Sequence, residues 1–134
     1  MDREKITVVV NDKIYFIGLN CPSKKNSKMI TAQKRIISSK TVRQYEKQME
    51  PIYIKNKAPF LEATKDKDLP LYIGFYFYRD TKRKWDFCNI IQCPLDLFQK
   101  YGYIEDDDTK HVIPVYLGEE VTKKEKSGFH IEIL

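Results

Sequence analysis

The sequence is short of the residues that mark the commoner catalytic and scaffold signatures. It has two histidines, three cysteines, five glycines and one tryptophan. Cys21, Cys88 and Cys93 are odd in number and cannot form a complete disulfide framework. Cys88 and Cys93 lack CxxC spacing, and His111 and His130 lie far along the chain, so a structural zinc site is not expected. The glycines form neither a P-loop nor a GxGxxG turn, which removes the main nucleotide signatures. No Ser–His–acid or Cys–His arrangement stands out, and no internal repeat is visible. No window holds the roughly 18 apolar residues of a membrane span. The opening MDREKITVVV has too short an apolar run for a signal peptide before Asn11-Asp12. The expected location is cytoplasmic, away from membranes.

What is present is aromatic and basic. Nine Tyr and seven Phe stand among 134 residues that are 42% apolar, enough to build one core and one domain over 1–134. A formal charge of +5 and a pI near 9.0 favour an anionic partner. The distribution says more than the sum. Lys24, Lys25, Lys28, Lys34, Arg35, Lys40, Arg43 and Lys47 are opposed by Glu46 alone.

The pattern along the chain predicts an α/β (α+β) domain, a small mixed β-sheet with packed helices. EKITVVV and KIYFIGL flank Asn11-Asp12 and read as a hairpin. Residues 20–34, rich in Pro, Ser and Asn, read as a basic loop whose hydroxyls and amides suit phosphate, or as a solvated loop. Arg35–Ser39 is a short strand candidate. Ser38 or Ser39 can cap a helix over KTVRQYEKQM, with Val42, Tyr45 and Met49 on one face, and Pro51 ends it or starts the next segment. Residues 52–70 carry no site signal; PFLEA reads as one helical turn or part of a longer insertion. LYIGFYFYRD is the clearest strand and is expected at or near the sheet centre. Ile90, Ile91, Leu95, Phe98 and Tyr101 form a helical stripe that Pro94 should kink or delay, with Gly102 in the C-terminal left-handed position. KHVIPVYL and GFHIEIL complete the strands. Pro114 places the former at an edge, bulge or break, and Gly118–Ser127 reads as a charged connection.

Chemistry concentrates between Arg79 and Asp108. Arg79, Lys82, Arg83 and Lys84 precede Trp85 and Asp86, and some twenty residues later stand Glu105, Asp106, Asp107 and Asp108. Phosphodiester hydrolysis needs an activated water and charge relief at phosphorus, and a hard divalent cation on oxygen ligands supplies both. Asp86 after a strand, and Asp106 and Asp107 after a helix and turn, can supply such ligands beside cations that hold the backbone. Simpler readings stay open. The acidic run is also an ordinary solvated turn, and Asp86 is also a helix cap. Trp85 suits a core position as well as a stacking platform. Cys88 is a candidate small buried hydrophobe, and each histidine a surface or satisfied core residue.

Three segments together resemble the RusA family of Holliday junction resolvases, common in phages and prophages. They are PSKKNS at Pro22–Ser27, WDFCN at Trp85–Asn89 and GYIEDD at Gly102–Asp107. The similarity in order and spacing covers most of the chain and is weakest between Met49 and Pro70. The resemblance implies a homodimeric α/β endodeoxyribonuclease that resolves four-way DNA junctions by paired nicks with Mg2+ or Mn2+. It implies Asp86 and Asp107 as catalytic residues, and Asp86, Asp106, Asp107 and Asp108 around the metal. Lys24, Lys25, Lys28, Arg79, Lys82, Arg83 and Lys84 would meet DNA, with Cys88 and Asn89 in support. The expected products carry 5′-phosphate and 3′-hydroxyl ends.

The chain departs from that family at two positions. The family motif DxDN has its second aspartate where Cys88 stands, and a common lysine where Gln92 stands. A thiolate is a poor magnesium ligand. Either Asp108 or Glu105 replaces the missing carboxylate, or one metal or a more thiophilic one serves, or the protein binds branched DNA with little cleavage. A small non-enzymatic interaction protein is the remaining alternative.

Overall fold

The computed structural model describes residues 13–23, 28–30, 36–38 and 40–134, with 28–30 and 36–38 as backbone. In chain order the elements are β1 (Lys13–Ile17), β2 (Lys28–Ile30), β3 (Ile36–Ser38), α1 (Lys40–Thr64), β4 (Leu71–Arg79), α2 (Phe87–Ile90), α3 (Gln92–Lys100), β5 (Val112–Val121) and β6 (Gly128–Ile133). The main sheet has the order β1-β6-β4-β5, and β2 and β3 form a separate antiparallel pair. β6 is antiparallel to both β1 and β4, while β4 and β5 are parallel. The expected small α/β domain with a mixed sheet is what forms. β4 lies inside the sheet and β5 at its edge, as the apolar alternation and Pro114 indicate. No helix among the described residues is long and apolar enough to cross a membrane.

Alternation along β4 decides which side of the sheet is covered. Ile73, Phe75, Phe77 and Arg79 are buried on one side, while Tyr72, Tyr76 and Tyr78 emerge on the other. Phe16 and Phe129 stack at 4.9 Å across β1 and β6, and Phe98 of α3 stacks on Tyr103 at 4.7 Å. Tyr53 of α1 joins both groups, with ring centroids 4.9 Å from Phe16 and 6.0 Å from Phe98. Its polar atoms are satisfied inside the core. Its hydroxyl meets that of Tyr45 at 3.1 Å, and its carbonyl accepts from the Tyr103 hydroxyl. Buried aromatics on this scale need such partners.

The helix expected to stop at Pro51 runs on to Thr64, through Pro51 and Pro59. A proline inside a helix costs about 3 kcal/mol. Both prolines are exposed, so the carbonyls they release face water. The buried stripe Val42, Tyr45, Met49, Tyr53 and Phe60 continues past Pro51. Full burial of a large apolar side chain is worth roughly 1.5–3 kcal/mol, so Tyr53 and Phe60 together offset much of the cost of the two prolines.

Two further expectations are corrected. Part of the basic 20–34 loop is a strand, β2, because it finds a partner in β3. The stretch read as a connection from Gly118 is strand as far as Val121, held by pairing with β4 through Arg79. A bulge at Leu117 keeps that pairing in register, and Gly74 leaves room for it: a Cβ on Gly74 would stand 2.5 Å from Leu117 Cδ1. The EKITVVV half of the expected hairpin and its Asn11-Asp12 turn lie outside the described residues. β1, the other half, pairs with β6.

The helical stripe after Asn89 breaks at Ile91, which separates α2 from α3. Pro94 then sits in the first turn of α3, where a backbone N–H would have no partner within the helix and its absence costs nothing. Gly102, at φ 82°, ends α3. Its N–H donates to Gln99 O at 3.2 Å and that of Tyr103 to Phe98 O at 2.8 Å, the paired bonds of a Schellman cap. This turn sends the chain into the acidic segment.

Candidate functional site

The carboxyl end of β4 opens into a cleft lined by Asn20, Cys21, Pro22, Ser23, Arg79, Arg83, Lys84, Trp85, Asp86, Asn89 and Ile90, with a volume of about 370 Å³. Two of the three sequence motifs therefore share one wall: the start of PSKKNS and most of WDFCN. Each part is held by local structure. Gly18 N–H donates to Ser127 O at 2.8 Å, fixing the exit from β1. Cys21 is buried, and its thiol sits 4.0 Å from Ile90 O at the end of α2. Burial pushes that thiol's pKa well up, so Cys21 is a packing residue rather than a nucleophile.

Asp86 is the N-cap of α2. Its Oδ1 accepts from Cys88 N–H at 3.0 Å, and its carbonyl accepts from Asn89 and Ile90. The cap reading is thus satisfied without removing Asp86 from the surface, where it is exposed. Cys88 is exposed too, which corrects its reading as a buried hydrophobe. Asn89, in the family-like position, lines the cleft. Gln92 is exposed at the start of α3.

The cations are not equivalent. Lys82, Arg83 and Lys84 are exposed, on a turn where Arg83 N–H donates to Thr81 Oγ1 at 3.1 Å. Arg79 is only 7% exposed. Its Cζ lies 4.5 Å from the centre of the Trp85 ring. Trp85 in turn packs edge-on against Phe77 at 4.8 Å and donates Nε1–H to both carboxylate oxygens of Glu119 at 2.9 Å. It therefore belongs to both readings, as core edge and cleft wall. Lys24 and Lys25 lie outside the described residues, and Lys28 is placed on β2 by its backbone alone.

The acidic segment stands elsewhere in the fold. It leads into β5, whose Val112 is in register with Leu71, the first residue of β4, whereas Asp86 follows the last residue of β4. The segment is not part of the cleft lining. Asp106 Oδ1 accepts from Asp107 N–H at 2.8 Å. Asp108 Oδ1 accepts from Lys110 N–H at 3.1 Å and meets His111 Nδ1 at 2.6 Å, while Glu105 stands 3.7 Å from His111 Nε2. Burial first, then the Asp106 carboxyl and the charge of Asp96, raise the pKa of Asp107 above the ordinary range. Asp96, on α3, was not singled out from the sequence. It lies four residues after Gln92, one turn along the same helix face.

His130 is a satisfied core histidine, with Tyr78 OH at 2.7 Å from Nδ1 and Glu132 Oε2 at 3.0 Å from Nε2. Among the described residues, no group of three or more His, Cys, Asp or Glu side chains is gathered closely enough to hold a metal ion. Burial and the negative charge of Asp106 and Asp96 disfavour an ionised Asp107, a cost that a hard cation would relieve, but these residues do not form a ligand cluster. Comparisons with protein-family models and with curated proteins find no match to this chain.

Proposed function

We propose that the protein is a RusA-like, metal-dependent endodeoxyribonuclease that acts on four-way DNA junctions. The observation that carries this reading is the cleft in which Arg79, Arg83 and Lys84 surround Asp86 and Asn89 beside the Asn20–Ser23 loop. Cations beside a carboxylate suit a phosphodiester whose backbone must be held while one bond breaks. In this reading Lys82, Arg83 and Lys84 seat the strand, with Lys24, Lys25 and Lys28 extending the track. Asp86 acts from the cleft, with Cys88 and Asn89 in support. Asp107, with Asp106 and Asp108 assisting and Asp96 acting on it, is the second acidic group, outside the cleft lining, and the reading requires both groups to reach the one reacting phosphate. A bound magnesium or manganese ion would supply charge relief and an activated water. Paired nicks need two sites, so the acting unit is a homodimer.

The test is cleavage of a mobile four-way junction with Mg2+ or Mn2+, run against flap, duplex and single-stranded controls. Native protein should leave paired nicks with 5′-phosphate ends. Asp86→Asn and Asp107→Asn should each reduce nicking by about a hundredfold or more, the scale of losing a charge-stabilising group at a reacting centre. Absence of nicking by native protein with either metal rejects the hydrolytic reading.

A second reading, a junction-binding protein with little cleavage, is favoured by a specific contrast. Asp86 lines the basic cleft, while Asp107 is crowded by Asp96 and Asp106 in a segment outside that lining. It gives salt-dependent binding of branched DNA that Asp107→Asn leaves unchanged.

A further inference from the structure

The residue whose burial is least accounted for is Arg79. Its side chain is on the core side of β4, at the strand's last position, and is more than nine-tenths buried. None of the ion pairs among the described residues includes it. Its Nε is buried with no hydrogen-bond partner. The nearest opposing charges act from further off. Glu119 is engaged by Trp85 and Tyr116, and Asp80 is exposed on the next residue. A guanidinium keeps its charge at any ordinary pH, and a buried charge without a counter-ion is costly. The Trp85 ring face offsets part of that cost by a cation–π contact. The rest points to an anion that enters the cleft.

The cleft suits one. Arg79, Arg83 and Lys84 outnumber its single carboxylate, Asp86, and the amides of Asn20 and Asn89 add neutral polar groups. At about 370 Å³ it lies near the lower end of the roughly 300–1,000 Å³ of ligand clefts, with room for a phosphate and part of the sugar attached to it. Planar guanidinium donors match phosphate oxygens better than an ammonium does.

We propose that this cleft is a phosphate-binding site with Arg79 as its buried anchor, Arg83 and Lys84 as its rim and Trp85 as the wall that holds the anchor in place. The ligand is a phosphoryl group of a nucleic-acid backbone or of a free mononucleotide. The pocket stands on its own geometry. It rests on the proposed function only for the choice of backbone DNA as the main source, and it requires neither a metal nor cleavage.

Trp85 is the only tryptophan in the chain, so its emission reports directly on this wall. The full-length protein would be titrated in EDTA with inorganic phosphate, with 5′-dTMP and with a short oligonucleotide, at matched ionic strength. A saturable change in Trp85 emission is expected with at least one of them. Arg79→Met, which keeps the aliphatic stem, should weaken that binding by about tenfold or more, the scale of a lost charged hydrogen bond. Much tighter binding of the oligonucleotide assigns the site to the backbone, and equal binding of 5′-dTMP assigns it to a free phosphate ligand. No saturable response of the native protein to any probe overturns the proposal. So does undiminished binding by folded Arg79→Met. If Arg79→Met does not fold, the surface variant Arg83→Gln/Lys84→Gln decides: markedly weaker binding supports the site, and native-like binding rejects it. Retained binding together with absent nicking would sink hydrolysis and leave this site standing.

Discussion

At the carboxyl end of β4 a guanidinium is sunk into the protein with no carboxylate at ion-pair distance among the described residues, while the segment before β5 keeps its acids at or near the surface. The acidic segment settles much of its charge by itself. Asp106 accepts from the next backbone N–H, and Asp108 holds His111 and Lys110 N–H. Among the described residues Arg79 has the face of Trp85 and no ion pair. A run of like charges in a sequence is therefore a poor guide to which charge needs a ligand. Three of four consecutive acids, Glu105, Asp106 and Asp108, found local partners, whereas one arginine at the end of a hydrophobic strand found no ion pair among the described residues.

The largest effect is expected at Asp86, which lines the basic cleft and caps α2. Asp86→Ala should lower stability by about 1 kcal/mol through loss of the cap, read as a lower denaturation midpoint. Asp86→Asn keeps a capping oxygen and should stay close to native stability. If both variants lose nicking while only the alanine form loses stability, the two roles separate. Equal stability of the two would remove the cap from the account.

A smaller effect is expected at Asp107. Its folded pKa is raised, so the native protein loses stability as pH rises from the ordinary aspartate value of about 3.9 through the raised one. Above that range the cost is fully present. Asp107→Asn should therefore melt slightly higher at neutral pH without divalent ions, and its advantage should vanish below about pH 4. Mn2+ should raise the melting temperature of native protein and leave the variant unmoved. The opposite order would show that Asp107 is not the crowded member of the turn.

The smallest effect belongs to His111 and Asp108. The hydrogen bond to Asp108 raises the His111 pKa, and the same bond lowers that of Asp108. The histidine's contribution is full below about pH 6.5 and is lost as pH rises through its raised value. The aspartate's is full above about pH 3.9 and is lost as pH falls through its lowered value. The pair should add most between those limits. The melting-temperature difference between native protein and His111→Asn, followed against pH, should peak in that window and shrink on both sides.

Much of the fold was legible because its signals are local. The alternation in LYIGFYFYR marked an inner strand, Pro114 marked the edge, and Gly102 marked the end of α3. The end of α1 was misread because proline was weighed alone, without the side it faces. Tyr53 and Phe60 carried the stripe onward, and Pro51 and Pro59 both turn to water. β2 was missed since a three-residue strand exists only through its partner. At the site, the grouping of Asp86 with the basic turn and the Pro22–Ser23 loop followed from motif order. The burial of Arg79 was also available, because it shares parity with Ile73, Phe75 and Phe77, but its charge drew attention first. Asp96 was overlooked for a physical reason: its effect on Asp107 depends on how α3 and the turn after it pack, which residue spacing alone does not report.

Among the described strands β5 is the outermost on its side of the sheet, and three features lie along it. Pro114 offers no N–H, the bulge at Leu117 twists the ladder, and Glu119 and Glu120 are exposed near its end. Each one spoils the straight row of donors and acceptors that an incoming strand would need. Fibrous growth and strand exchange are therefore disfavoured along this border, even though the neighbouring surface carries exposed Tyr72 and Tyr116.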